Sequence, residues 1–120
     1  KIVADISDSV MKVVDQETNR VHFTAKIETS KRGVGFKRGS KKTPTGNYTV
    51  TKEPYHSYGP TLRLSGYQGR HARRGGRGIL IHRDFVRGNG TSGCLCPIDA
   101  KSMNIIFNMV DDHTPLKITF

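Results

Sequence analysis

Residues 21–28, VHFTAKIE, decide the fold class. Val21, Phe23, Ala25 and Ile27 alternate with His22, Thr24, Lys26 and Glu28, a period of two with one apolar face, so the segment reads as a strand covered on one side. Upstream, Val10–Val14 (VMKVV) is a shorter apolar strand, and the polar cluster from Asp15 to Asn19 between the two is a turn. Downstream, NYTVTKE resumes alternation through Tyr48 and Val50 and ends at Pro54. TLRLSGY alternates again, GILIH is a short continuous apolar run suited to a strand covered on both faces, and PLKITF sets Leu116, Ile118 and Phe120 on one side. Helical spacing occurs once: Asp99 is a candidate N-cap, and Met103, Ile106, Phe107 and Val110 follow at i, i+3, i+4 and i+7, predicting a helix over residues 100–110. Six or seven strands and one helix predict a mainly β sandwich or barrel. A length of 120 residues suits one modest core, so residues 1–120 are expected to form a single domain.

Composition narrows the partners. Lys and Arg number 20 against 10 Asp and Glu, an excess that favours a polyanion: nucleic acid, an acidic membrane face or an anionic wall polymer. Two basic, glycine-rich stretches, SKRGVGFKRGSKKTPTG and QGRHARRGGR, read as loops. Aromatic residues make up only 8% of the chain and Trp is absent, which leaves few stacking platforms for bases and argues against nucleic acid as the main ligand. The apolar runs are too short to span a membrane. A chain that opens on Lys1 reads as a trimmed or processed product, in which an upstream signal or anchor is not visible.

The chemistry-bearing residues cluster in GTSGCLCPID, residues 90–99, which holds both cysteines. A disulfide across one intervening residue closes a strained ring, so Cys94 and Cys96 are expected as free thiols. Structural zinc sites pair ligands two to four residues apart, and Cys94-x-Cys96 with scattered His22, His56, His71 and His113 matches none of those spacings. GVGFKRGSKKT does not fit the phosphate-binding pattern G-x-x-x-x-G-K-[ST] at any register. Neither metal nor cofactor is therefore expected. A nucleophilic thiol fits better. Cys94 follows a Thr91-Ser92-Gly93 turn of small residues that leaves backbone N–H groups accessible, as an oxyanion hole requires. His82 stands at the end of the GILIH strand, and Arg83 and Arg87 add positive potential. Spacing alone leaves a bland alternative open, a hydrogen-bonded strand-end histidine beside a buried thiol.

These residues resemble the YkuD-type L,D-transpeptidase catalytic domain of bacterial peptidoglycan metabolism. That family carries an apolar strand ending in His, a loop, then Ser/Thr-His-Gly-Cys, an apolar residue and commonly Arg or Asn. ILIH supplies His82, and Thr91-Ser92-Gly93-Cys94-Leu95 supplies the second half. KTPTGNYTV is similar to the family's Thr-Pro-x-Gly-x-aromatic segment, YGPTLRLSG to the strand before the histidine, and DDHTPLKITF to the closing turn and strand. The chain departs from the pattern in a short loop between His82 and Thr91, in Arg83 for the glycine that often follows the histidine, in Ser92 for the motif histidine, and in Cys96 for Arg or Asn. It resembles a divergent member.

The resemblance implies a mainly β barrel-like fold with one helix after the catalytic cysteine, Cys94 as nucleophile, His82 as its base, and Ser92 and Gly93 as part of the oxyanion-binding turn. It implies substrate contacts from Thr91, Arg77, Arg83, Arg87 and Tyr67. One of Arg73, Arg74, Arg77, Arg83 or Arg87 is expected to supply the charge missing at Cys96, and Cys96 itself to be dispensable. The implied reaction is acyl transfer on peptidoglycan stem peptides, to an amine or to water, in wall remodelling or as a wall-directed toxin, outside the cytoplasm and as a monomer. The alternative is a non-catalytic basic module that binds an anionic wall polymer or nucleic acid.

Overall fold

A computed structural model describes residues 1–34, 43, 45–65, 79–83, 91 and 93–120. Its strands are β1 (Ile2–Asp5), β2 (Val10–Val14), β3 (Val21–Glu28), β4 (Gly46–His56), β5 (Gly59–Ser65), β6 (Leu80–Ile81), β7 (Cys96–Pro97) and β8 (Thr114–Thr119), with one helix, α1 (Ala100–Met109). They form a sheet in the order β6-β5-β4-β8-β1-β2-β3-β7. The expected mainly β fold with its helix after the cysteines is what the structure holds.

Register explains the core. Because side chains alternate across a sheet, the row Tyr48, Leu116, Ile2, Val13 and Phe23, paired across β4, β8, β1, β2 and β3, faces one way. Four of those five side chains are fully buried and Phe23 packs against them. In the parallel row Ile118, Ala4, Met11 and Ala25 also point inward. The alternation read at Val21–Ile27 thus holds at Ala25 and Ile27, whereas Val21, at the outer end of β3, is 45% exposed. Phe120 likewise lies past the end of β8 and is 72% exposed rather than inward.

β4 runs on to His56 instead of ending at Pro54, with a one-residue slip against β5 between Glu53 and His56. Proline has no N–H for the ladder, and a bulge is where a strand tolerates it. The slip carries the hairpin on to a tight turn at Ser57 and Tyr58, closed by Gly59 at φ +82°. Helix α1 begins at the expected cap: Asp99 Oδ1 accepts the Ser102 N–H at 2.6 Å. Met103 and Ile106 are buried against the core with Val110 just beyond the helix, while Phe107 is half-buried beneath the Lys52 ammonium, 4.5 Å from its ring centre.

The two ends of this sheet meet. Leu95 N–H donates to Leu80 C=O at 3.0 Å and His82 N–H donates to Leu95 C=O at 3.2 Å, a parallel bridge between Ile81 and Leu95. Since β6 and β7 are the two edge strands and Leu95 directly precedes β7, these bonds draw the sheet into a nearly closed barrel. His82, Cys94 and Cys96 are all at that seam.

Candidate active site

The seam exists because the run from Ile79 to Ile81 in GILIH is apolar: Ile79, Leu80 and Ile81 are all buried, and a strand with both faces covered is pulled inside. Its last residue, His82, is 7% exposed. On the other side, β7 pairs antiparallel with the end of β3, Glu28 opposite Cys96 and Ile27 opposite Pro97. Cys96 is fully buried, whereas Cys94 is partly exposed, and both are free thiols as expected. Among the described residues no group of histidines, cysteines and carboxylates is arranged to hold a metal ion.

The turn before Cys94 is fastened at several points. Thr91 Oγ1 donates to Cys94 C=O at 2.6 Å and accepts the Gly93 N–H at 3.2 Å, while Thr91 N–H donates to Thr29 C=O at 3.0 Å. Gly93 takes φ +115°, a conformation that a side chain disfavours. Its carbonyl accepts the hydroxyl of Thr43 at 3.0 Å, and the same Thr43 oxygen accepts the Ser30 N–H at 3.3 Å. Thr43 is wholly buried. It belongs to the KTPTG segment that marked the resemblance, and it ties the chain just past β3 to the cysteine turn.

The electrostatics separate the thiols. Burial pushes Cys94 above its ordinary value of 9.0, opposed by the Leu80 N–H, which donates to Sγ at 3.4 Å, and by the positive charge of Arg63. Arg63 sits opposite Leu80 on β5 and is held by Glu53 through bonds of 2.9 and 3.3 Å. Cys96 is pushed up to about 12, first by burial and then by the neighbouring Cys94. A thiolate is therefore more accessible at Cys94, and forming it calls for a proton acceptor.

His82 supplies a ring beside the Cys96 sulfur. Cys96 Sγ lies 3.7 Å from its Nε2 and 3.9 Å from its Nδ1. The Tyr58 ring, from the β4–β5 turn, stacks on it at 4.4 Å between centres and 20° between planes. Arg83 reaches across the seam to donate to Pro97 C=O at 3.3 Å. The structure thus gathers His82, Arg83, Thr91, Gly93, Cys94 and Cys96. Tyr67, Arg77, Arg87 and Ser92, together with Arg73 and Arg74, lie outside the described residues. Of the expected oxyanion donors, the Gly93 N–H is directed at Thr91 Oγ1. Sequence reading did not single out Thr43, Arg63 or Tyr58; all three lie within strands or loops far along the chain, and only KTPTG carried a signal. A surface cleft bordered by Lys1, Asp15, His22 and Asp111 shares no residue with this site.

Comparison with known proteins agrees with this fold. No curated protein matches the chain. Among solved structures, an L,D-transpeptidase from Mycobacterium smegmatis superposes with TM-score 0.70 at 17% identity, covering 99% of this chain and 58% of that one. L,D-transpeptidase 1 of Mycobacterium tuberculosis gives 0.69 at 17%, covering 99% and 60%. L,D-transpeptidase 3 of the same organism, in complex with a faropenem-derived adduct, gives 0.65 at 19%, covering 99% and 59%. The chain thus spans about three fifths of the length of these proteins, and the likeness concerns the fold. The family match is to sequence, over residues 1–118, and with it the chain belongs to the YkuD family, the L,D-transpeptidase catalytic domain.

Proposed function

We propose that residues 1–120 act as one catalytic domain that transfers acyl groups on peptidoglycan stem peptides, with Cys94 as nucleophile and His82 as its base. The observation that carries this reading is the seam, where barrel closure sets a partly exposed thiol, a buried imidazole and a glycine turn at the ends of adjoining strands. His82 takes the Cys94 proton. The sulfur attacks the carbonyl carbon of the third stem residue, the C–N bond to terminal D-Ala breaks, and the D-Ala amine leaves with the proton from His82. The resulting thioester is opened by an amine of a neighbouring stem, giving a cross-link and regenerating the thiol, or by water, giving a trimmed stem.

Arg63 favours the thiolate and the charge that develops on the carbonyl oxygen, which backbone N–H groups around Ser92–Cys94 other than that of Gly93, bonded to Thr91 Oγ1, stabilise, a contribution of about 3 kcal/mol in comparable acyl transfers. Thr91, Arg77, Arg83, Arg87 and Tyr67 are the substrate contacts of this reading, and no cofactor takes part. In this reading the protein acts outside the cytoplasm and as a monomer; remodelling of the host wall and attack on a rival's wall both fit, and the net charge of +10 suits anionic wall polymers. No helix of the described residues is long and apolar enough to cross a membrane.

Incubation with tetrapeptide muropeptides, followed by mass spectrometry, tests the reaction. Loss of D-Ala or dimer formation is expected from the wild type, and none from Cys94→Ala. Turnover retained in Cys94→Ala overturns the assignment, and polymer binding that weakens steeply with salt in the absence of turnover supports a binding module instead.

A further inference from the structure

His82 is touched by two side chains that the acyl-transfer chemistry leaves unused. The sulfur of Cys96 is nearly equidistant from the two ring nitrogens, 3.7 and 3.9 Å. A thiol bonded along the lone pair of one nitrogen stands much farther from the other, so that arrangement is excluded. An in-plane approach between the nitrogens presses the sulfur into the carbon that joins them. The sulfur therefore rests against a face of the imidazole. Tyr58 stacks on the ring at 4.4 Å, and at these separations one face does not hold both groups.

We propose that Tyr58 and Cys96 are positioning residues that clamp the His82 imidazole between them, fixing the ring plane while its nitrogens act within that plane. This gives a role to the residue that stands where the family commonly keeps Arg or Asn. Both jaws are anchored. Tyr58 N–H donates to His56 Nδ1 at 3.1 Å in the tight turn, and the His56 ring lies 4.9 Å from that of Tyr58. Cys96 is fixed by its pairing with Glu28. Burial keeps its thiol neutral, so it packs on the ring without placing a charge there. Among the described residues, the charged groups that face the thiols are Arg63 on β5, Glu28 on β3 and Arg83 beside His82.

The clamp rests on the reading of His82 as the base, and the test separates the two. Cys96→Ala, Tyr58→Leu and Tyr58→Phe are compared with wild type by the saturation kinetics of Cys94 acylation with a carbapenem and by the ¹⁵N spectrum of the His82 imidazole. Loss of one jaw is expected to lower the limiting acylation rate by about 2- to 10-fold, the scale of one aromatic or sulfur–aromatic contact. The half-saturating concentration stays unchanged, Tyr58→Phe restores most of the loss, and the imidazole signals move toward averaged tautomers. Unchanged rates and an unchanged imidazole spectrum in Cys96→Ala and Tyr58→Leu overturn the clamp, as does an adduct that maps to Cys96. A wild type that does not acylate refutes the acyl-transfer reading, and the imidazole spectrum then decides the clamp alone. Should Cys96→Ala fail to fold, Tyr58→Leu carries the test, because Tyr58 is 39% exposed.

Discussion

Thr43→Val tests whether the cysteine turn is held from the opposite side of the site. Valine keeps the shape of threonine and removes the hydroxyl. In the structure that hydroxyl is fully buried and serves two backbone groups, accepting the Ser30 N–H at 3.3 Å and donating to the Gly93 carbonyl at 3.0 Å. Each buried backbone group that loses its partner costs about 1–3 kcal/mol. Two such losses, partly shared through relaxation of the turn, predict a destabilisation of about 2–4 kcal/mol. Thr43→Ser keeps both hydrogen bonds and gives up one methyl group, worth about 1 kcal/mol. Equilibrium unfolding in urea of both variants, with equal slopes, reads the difference directly. Carbapenem acylation of Cys94 should fall about 10- to 100-fold in the valine variant, as expected when a reacting group is displaced on the ångström scale. A valine variant as stable and as reactive as the serine variant refutes the argument that Thr43 fastens Gly93.

Gly93→Ala places a side chain at φ +115°; a loss of about 1–3 kcal/mol in unfolding free energy is expected, with a larger proportional loss of acylation, and a variant of wild-type stability contradicts the positive φ. The raised Cys96 thiol makes the fold sensitive to alkali. Above its ordinary value of 9.0 and below about 12 the folded state keeps a proton that the unfolded chain has released, so stability falls as pH rises through 9, by at most about 1.4 kcal/mol per pH unit from this group. Urea unfolding of wild type and Cys96→Ala between pH 8 and 11 should show the wild type losing stability faster, and parallel curves count against a buried thiol. At pH 8, brief iodoacetamide treatment should label Cys94 and spare Cys96, as peptide mapping will show.

Much of the barrel is written in local alternation, and what was not depends on partners distant in sequence. Ala25, Ile27, Tyr48, Val50, Leu116 and Ile118 face the core as a period of two requires. β1 went unread because IVAD is only four residues long and owes its strand conformation to neighbours on both sides, β2 nearby and β8 at the far end of the chain. β7 is two residues, one of them proline, and is a strand only through its pairing with Ile27 and Glu28. In the site, residue types exposed His82 and Cys94, because thiols and imidazoles are few and their chemistry is narrow. Thr43, Arg63 and Tyr58 were hidden because nothing in a threonine, an arginine or a tyrosine announces its partner; barrel closure chooses it. The same holds for the placement of Cys96 against the face of His82, which depends on the orientation of a ring.

The meeting of β6 and β7 also bears on how this molecule behaves in a crowd. An open sheet offers unpaired N–H and C=O groups at its margins, a template on which strands of other chains grow. Here each margin is a two-residue strand, and the backbone groups of Leu80, His82 and Leu95 are spent on one another. The bonds that assemble the site therefore also protect the protein against aggregation, so substitutions that loosen the contact between Leu80 and Leu95 should reduce solubility and reactivity together.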